Sequence, residues 1–535
     1  MNFRDPIGAL REPATLRARC AAVTAAVEQG RSGHFKLDRS RLPALAQRAA
    51  TLVDEHFGGL EQPHRGQWHR FGAGGVDRKS ELDALLASRS PAEKLRAQVD
   101  LTVVSVLLAT GAGPAWRYAE RPELDALALP VHRQKGEDLL AMLGAAAGKS
   151  RAAKTPEADS APPKAGTSEI EAPTAQTLAT EPGAAESAVT ESPTTQPATT
   201  EAPPAQAPAA DLSPPPRQTA TLSGAEGLSV AVFRAFVAGV FSSDPADPLR
   251  VDALALKRLD AAALRAVFQS SPSNPLPGLE ARAAVLTRLG EVLQEQAEAH
   301  GGVARPARLI DTLTGAAGGT DLAATQVLRE VLRVHAPAWS SGSRVLGLPA
   351  GDVWPHLWAG AATGRTPAAA DAGEAAAPHP APTDRATAGW VPFHLLGQWM
   401  SYSLVEPLSW AGLQVSGLEA LTALPEIALG ARLLDAGVIV LRDERDLSKT
   451  CKPSSDLVVE WRALTVTLMD ELAALVRELP ERAAPREAAD RRHAGAASMR
   501  DLPLTLGLAL LLGGPSGPSE DAAPSLKVDS DGTLF

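Results

Sequence analysis

The sequence predicts a mainly α protein: a single large helical domain with a few short strands and a C-terminal hairpin. Three observations carry this. Several long segments repeat their apolar residues every 3.6 positions or are apolar all round. Strand-like stretches are few, "GVIVLRD" (437–443) and "LKVDSDGTLF" at the C-terminus being the clearest. Strands and helices do not alternate, which argues against a doubly wound sheet.

Taken in order, the first strong helix is "SPAEKLRAQVDLTVVSVLLATG". Ser90 is placed as N-cap, Pro91 at the first helical position and Glu93 to complete a capping box, with Gly111 as the stop. Leu101 to Leu108 is apolar apart from Thr102 and Ser105, the mark of a helix buried on most sides. "GLSVAVFRAFVAGVF" (227–241) reads as a second buried helix, ended by "SSDPADP". Residues 278–300, 321–334 and 455–479 show amphipathic spacing. The stretch "VPFHLLGQWMSYSLVEPLSWAGL" (391–413) concentrates aromatics in a chain with only 4% of them. Aromatics in such a run pack a core or line a pocket, and the pattern alone leaves both open. The final "LKVDSDGTLF" carries an Asp531-Gly532 turn suited to a hairpin.

Two segments depart from globular composition. Residues 151–220 are built from Pro, Ala, Thr, Ser and Glu, with no aromatic and only Ile170, Leu178, Val189 and Leu212 as large aliphatics. Such a segment buries too little apolar area to offset an ordering entropy of about 1–2 kcal/mol per residue. It is expected to be disordered, as is the similar 363–388. The helical domain is therefore expected in three parts, 1–150, 221–362 and 389–535, the last with the candidate active-site segments.

With 535 residues, a net charge of −10 and a pI near 5.7, the chain is not built as a general binder of nucleic acid or anionic membranes. Cys20 and Cys451 make neither a CxxC motif nor a disulfide framework. The N-terminus lacks a basic-then-apolar leader, and "LPLTLGLALLL" (502–512) is too short to span a bilayer. The expectation is a soluble cytoplasmic protein.

Motif tests exclude more than they include. "LGAAAGKS" (143–150) lacks the first glycine and preceding strand of a phosphate loop. His64 and His69 are not on one helix face, and no metal or cofactor spacing is present. What remains are polar residues at the ends of buried helices: Asp77 and Arg78 after the Gly74-Gly75 turn; Trp116, Arg117 and Tyr118; Asp244 and Asp247; Glu406 and Glu426; and Glu460 and Arg462 around Trp461. Each acid taken singly suits a helix cap or an ion pair. Together they suit a site, because loops on a rigid scaffold carry function.

These motifs resemble the uracil catabolism protein four (Urc-four/Urg-three) family. The matching stretches include "GGVDR" (74–78), "DLTVVSVLL" with "GAGP-WRY" (100–118), "FVAGVFSSDPADPLRVD" (236–252), "NPLPGLEARA" (274–283), "GDVWPH" (351–356), "VPFH--GQW-SYSL-EPL-WAG" (391–412), "LPE" (424–426), "LVVEWRALTV" (457–466) and "SDGTLF" (530–535). The resemblance implies a role in degrading uracil through a ribosylurea-type intermediate. The ligand would be a small ribosylated pyrimidine or urea derivative.

The region from 393 to 442 further resembles the queuosine-salvage N-glycosyl hydrolases, which have a DNA-glycosylase-like helical core. By that comparison Glu426 is the key carboxylate. With the polar residues singled out above, the expected site has Asp77 and Glu460 as further catalytic acids, and Arg78, Trp116, Arg117, Tyr118, Asp244, Phe393, His394, Gln398, Trp399 and Arg462 as ligand-binding residues. A carboxylate near the anomeric carbon would stabilise an oxocarbenium-like transition state. The chain departs from the family pattern at Leu395, where a lysine is expected, at Ile427-Ala428 in place of Tyr-Arg, at Ala109 and Ala115 in place of aspartates, and at 513–520. The alternative is therefore a divergent paralogue, catalytically impaired, that binds a nucleoside-like ligand or a partner protein.

Overall fold

The computed structural model describes residues 5–57, 66–120, 221–317, 320–339, 343–360, 386–479, 502–513 and 525–533. All of these belong to one contact unit, Met1–Ala145 with Thr219–Phe535. The expected disordered segment 151–220 lies outside the described residues, as does 363–388 apart from its last three positions.

The architecture is mainly helical. In chain order the helices are α1 Pro13–Glu28, α2 Leu42–Phe57, α3 Gln67–Arg70, α4 Arg78–Leu85, α5 Pro91–Leu108, α6 Gly224–Val237, α7 Ala253–Leu256, α8 Ala261–Val267, α9 Leu279–His300, α10 Leu309–Ala317, α11 Ala324–His335, α12 Leu395–Trp410, α13 Ile427–Asp435, α14 Asp456–Glu478 and α15 Pro503–Leu512. Among the described residues the strands are two to four residues long and pair in twos: β1 Phe35–Leu37, β2 Arg117–Ala119, β3 Thr221–Ser223, β4 Asp321–Ala323, β5 Ser343–Val345, β6 Leu348–Gly351, β7 Val353–Pro355, β8 Trp390–Pro392, β9 Gln414–Ser416, β10 Ile439–Leu441, β11 Thr450–Cys451 and β12 Lys527–Val528, with β1 antiparallel to β10 and β7 antiparallel to β8. None of the described helices is long and apolar enough to cross a membrane.

The local signals are realised as physics. Ser90 Oγ accepts from the Glu93 amide while the Glu93 carboxylate accepts from the Ser90 amide, so α5 opens on the expected capping box. α5 is buried from Leu101 through Leu108 and packs against α6 and α12 in one apolar core. A second core gathers α2, α13, α14 and α15. α14 belongs to both: Val459, Ala463 and Val466 face the first, and Trp461, Leu464, Leu468 and Leu472 the second. A helix buried on both sides must satisfy its polar residues internally.

One does so through a buried ion pair. Arg462 donates to both Asp352 oxygens, at 2.8 and 2.6 Å, and its Nε donates to Pro425 O at 2.9 Å. Asp352 also accepts the Trp354 indole N–H at 2.6 Å and the Leu395 amide at 3.0 Å. Burial pushes the Asp352 carboxyl up, but Arg462 and these hydrogen bonds overcome it and hold the group below its ordinary value.

The C-terminus corrects one expectation. Among the described residues it forms no hairpin; β12 (Lys527–Val528) pairs in parallel with β11 (Thr450–Cys451). The Asp531-Gly532 turn seats the tail instead: Thr110 donates to Gly532 O at 3.2 Å, and Asp531 O lies where a Cβ on Gly278 would be. A distant strand has taken the pairing edge that a hairpin would use.

Replacing Arg462 with Met strands a buried carboxylate. Chemical denaturation is expected to show a loss of about 3–5 kcal/mol, most of it recovered when Asp352 is also replaced by Leu. Equal losses in the single and double variants would contradict this account of the pair.

Candidate functional site

Glu426 is positioned by its neighbours rather than by bonds of its own. It is the N-cap residue of α13, yet its carboxylate caps nothing. The residue before it is held by Arg462 Nε on Pro425 O, and the residue after it by the Trp461 indole, which donates to Ile427 O at 3.1 Å. α13 can lie this close because Gly430 faces that indole; a Cβ there would sit 2.0 Å from Trp461 Nε1. The approach to Glu426 is fixed by Gln398, whose Oε1 accepts from both the amide and hydroxyl of Thr422, at 3.1 and 2.9 Å. Thus "EWR" and Gln398 hold the backbone around this half-buried carboxyl.

Within electrostatic range of it lies a residue that the sequence did not mark. Arg70, at the end of α3, has its guanidinium carbon 4.7 Å from the centre of the Trp399 ring. One bond of 3.3 Å joins it to Gln67 Oε1, which also accepts the Trp399 indole N–H at 3.2 Å. Gln67 is fully buried and fastened on every side: its Nε2 donates to Ser105 and Ser229, at 2.5 and 2.6 Å, and its amide donates to Ser403 at 3.0 Å. α3 is thereby pinned to α5, α6 and α12.

Burial lowers the Arg70 pKa from its ordinary value, and Glu426 and Glu226 oppose the shift. Burial likewise raises the Glu426 carboxyl, against the pull of Arg70. The two groups thus sense one another. Yet among the described residues Arg70 has no carboxylate within ion-pair distance, unlike Arg78, Arg305 and Arg462 with Glu120, Asp100 and Asp352 at 2.5–2.6 Å. Glu426 and Arg70 are thus two charges that feel one another without pairing directly, and Arg70 lies against the Trp399 indole. "HRGQWHR" (64–70) contains both Gln67 and Arg70, but nothing in its spacing marks them.

The other expected site residues lie in the framework. Asp77 is exposed and caps α4 by accepting from the Ser80 amide and hydroxyl. Arg78 is fully buried, paired with Glu120 and bonded to Phe71 O and Ala73 O. The Trp116 indole donates to Phe268 O at 2.9 Å and its ring stacks on buried Tyr118. Arg117 bonds to Pro114 O and Trp116 O. Asp244 closes a turn on the Ala246 amide. Phe393 is buried under the Arg462 guanidinium, 4.1 Å away. His394 takes a left-handed conformation with φ 49°, anchors to Leu10 O at 2.8 Å, and is pushed down to about 4 by burial. Glu460 accepts from Ser32 Oγ at 2.5 Å and lies 3.7 Å from His356 Nε2. Of the expected set, Glu426 and Trp399 are linked through Arg70, which lies on the one and feels the charge of the other, and Gln398 and Arg462 hold the backbone that leads to Glu426. Among the described residues no group of His, Cys, Asp and Glu is arranged to hold a metal ion.

Fold and site define a mainly helical protein with Arg70 on α3, Trp399 on α12 and Glu426 at the start of α13 as its candidate polar cluster. A family model described as "Protein of unknown function (DUF1688)" matches residues 9–140 and 213–487. The chain belongs to this family, the Urc-four/Urg-three group that its motifs resemble. It is 28% identical over 510 residues to Protein urg3 of Schizosaccharomyces pombe, covering 94% of this chain and 92% of that protein. It is 30% identical over 276 residues to Uracil catabolism protein 4 of Lachancea kluyveri, covering 48% of this chain and 59% of that protein.

Two turns beyond Trp399 on α12, Glu406 presses on Gly66, and its Oε2 has no hydrogen-bond partner among the described residues. Burial pushes this carboxyl up to about 7, with Lys79 partly opposing. The folded state holds the proton more tightly than the unfolded chain. The resulting stabilisation is complete below the ordinary glutamate pKa and is lost as pH rises through about 7. Glu406→Gln should therefore flatten the fall in stability between pH 5 and 8, by about 3 kcal/mol at most. Parallel denaturation profiles for the two proteins would contradict this.

Proposed function

We propose that this protein acts in uracil breakdown as an N-ribosyl hydrolase, cleaving a ribosylurea-like or nucleoside-like intermediate at the Glu426 pocket. The observation that carries the reading is that Glu426 and Arg70 feel one another's charge without pairing, while Arg70 lies on Trp399. The charges that brace this fold pair directly, as Arg78, Arg305 and Arg462 do with their carboxylates. Charges left open in this way suit a polar guest. The names of the two relatives and the family resemblance support uracil breakdown as the setting.

In this reaction the C1′–N bond breaks and the oxygen of water bonds to C1′. One proton of that water goes to the departing ureido nitrogen, giving ribose and urea. The ionised Glu426 carboxylate stabilises positive charge growing at the anomeric carbon, as in glycoside hydrolysis. Because burial raises its pKa, the ionised fraction and the rate both rise with pH through that raised value.

A second reading, binding without turnover, is favoured by Leu395. It is buried in the apolar core at the first turn of α12, with only its amide engaged on Asp352. No lysine ammonium is supplied there.

Incubation of the purified protein with ribosylurea, with release of urea as the readout, separates the two. Under the hydrolase reading Glu426→Gln lowers turnover roughly 10²–10⁴-fold. Its melting temperature should be little changed, since the carboxylate makes no cap bond. Undiminished turnover would remove Glu426 from the mechanism. Ligand-induced stabilisation without any urea would favour binding alone.

A further inference from the structure

We infer that Arg70 is a built-in surrogate for the ligand: its guanidinium occupies the Trp399 face that a planar, N–H-bearing ureido group takes when substrate binds. The inference rests on the reading of the Glu426–Trp399 pocket as the ligand site, and it names the chemical class recognised and the group that must move.

Three features of the contact support it. Trp399 is only 4% exposed, and the guanidinium lies against its ring. A ligand that stacks on this face must displace Arg70. The guanidinium is planar and donates N–H to Gln67 Oε1. A ureido group is planar, of nearly the same size, and carries the same donors, so it can stack on the indole and restore the bond to Gln67. The acceptor itself cannot drift, because the rest of Gln67 is tied to Ser105, Ser229 and Ser403.

The third feature is how loosely Arg70 is held. Among the described residues it has a single 3.3 Å hydrogen bond and no ion pair. Arg462 and Arg78, by contrast, each hold a carboxylate with two donors and add backbone carbonyls. An arginine meant to brace the fold would be fixed as those two are. Released toward solvent, Arg70 regains hydration, uncovers the indole face and the Gln67 acceptor together, and leaves the Glu426 carboxylate without its neighbouring cation. The latch thus keeps the pocket closed until a group of matching shape replaces it. A ligand pays for this displacement in affinity, as for any protein whose competent state is only fractionally populated.

The test is calorimetric titration of wild type, Arg70→Ala and Arg70→Lys with ribosylurea, using N-methylurea and methylguanidinium as headgroup probes. If Arg70 uncovers the ring about one-tenth of the time, Arg70→Ala should bind ribosylurea about tenfold more tightly. Arg70→Lys, which keeps the charge but loses the planar group, should gain part of that. Adding Trp399→Leu should erase the gain. N-methylurea should compete in Arg70→Ala; competition by methylguanidinium alone would assign the slot to a guanidino rather than a ureido group and overturn the class named here. Weaker or unchanged ribosylurea binding in whichever variant folds would show that Arg70 is not displaced, and would overturn the latch. Tighter binding without urea release would uphold the latch while removing the hydrolase reading. Urea release with weakened binding would do the reverse.

Discussion

The Asp352–Arg462 ion pair is the constraint from which the site follows. Asp352 lies between β6 (Leu348–Gly351) and β7 and gathers the start of α12 through the Leu395 amide, while Arg462 reaches from α14 to Pro425. One buried pair thereby fixes four pieces of chain at once, including the residue preceding Glu426. Its lone pairs and protons are taken up by the Trp354 indole and backbone groups, which is the condition for tolerating two charges in an apolar interior. Phe393 under the guanidinium adds a cation–π contact to the same centre.

Buried charge is handled in two distinct ways in this molecule. Arg78 with Glu120, Arg305 with Asp100 and Arg462 with Asp352 are direct pairs with short contacts. Glu426, Arg70 and Glu406, each only partly buried, are left without such partners among the described residues; they stand at the N-cap of α13, at the end of α3 and on α12. The difference separates framework from pocket more clearly than residue type does. Glutamate and arginine occur in both groups, and only geometry tells them apart.

Much of the fold was legible because its signals are local. The Ser90–Glu93 capping box, the apolar run of α5 and the periodicity of α14 act within a few turns of chain, and each produced the expected helix. The strand at 437–443 was legible for the same reason, although its partner, residues 35–37, was not. The C-terminal hairpin failed because the Asp531-Gly532 turn is compatible with two pairings and a strand far away in sequence decided between them. At the site, Glu426 and Trp399 were identified together through family resemblance, whereas Arg70 and Gln67 were missed. Their importance lies in Ser105, Ser229, Ser403 and Trp399, whose contacts with them span from 38 to more than 300 positions.

By itself the sequence determined which segments become helices, which of their faces are apolar, and the family to which the chain belongs. These are matters of propensity, spacing and residue identity within short windows. Only the tertiary structure decided which polar residues are framework and which face a pocket. Asp77 became a helix cap, and Arg78 and Arg462 became ion-pair partners, because each found a partner within hydrogen-bond reach. Glu426 and Arg70 did not. The cost of burying a charge depends on the atoms around it, and those atoms come from parts of the chain that no sequence window brings together.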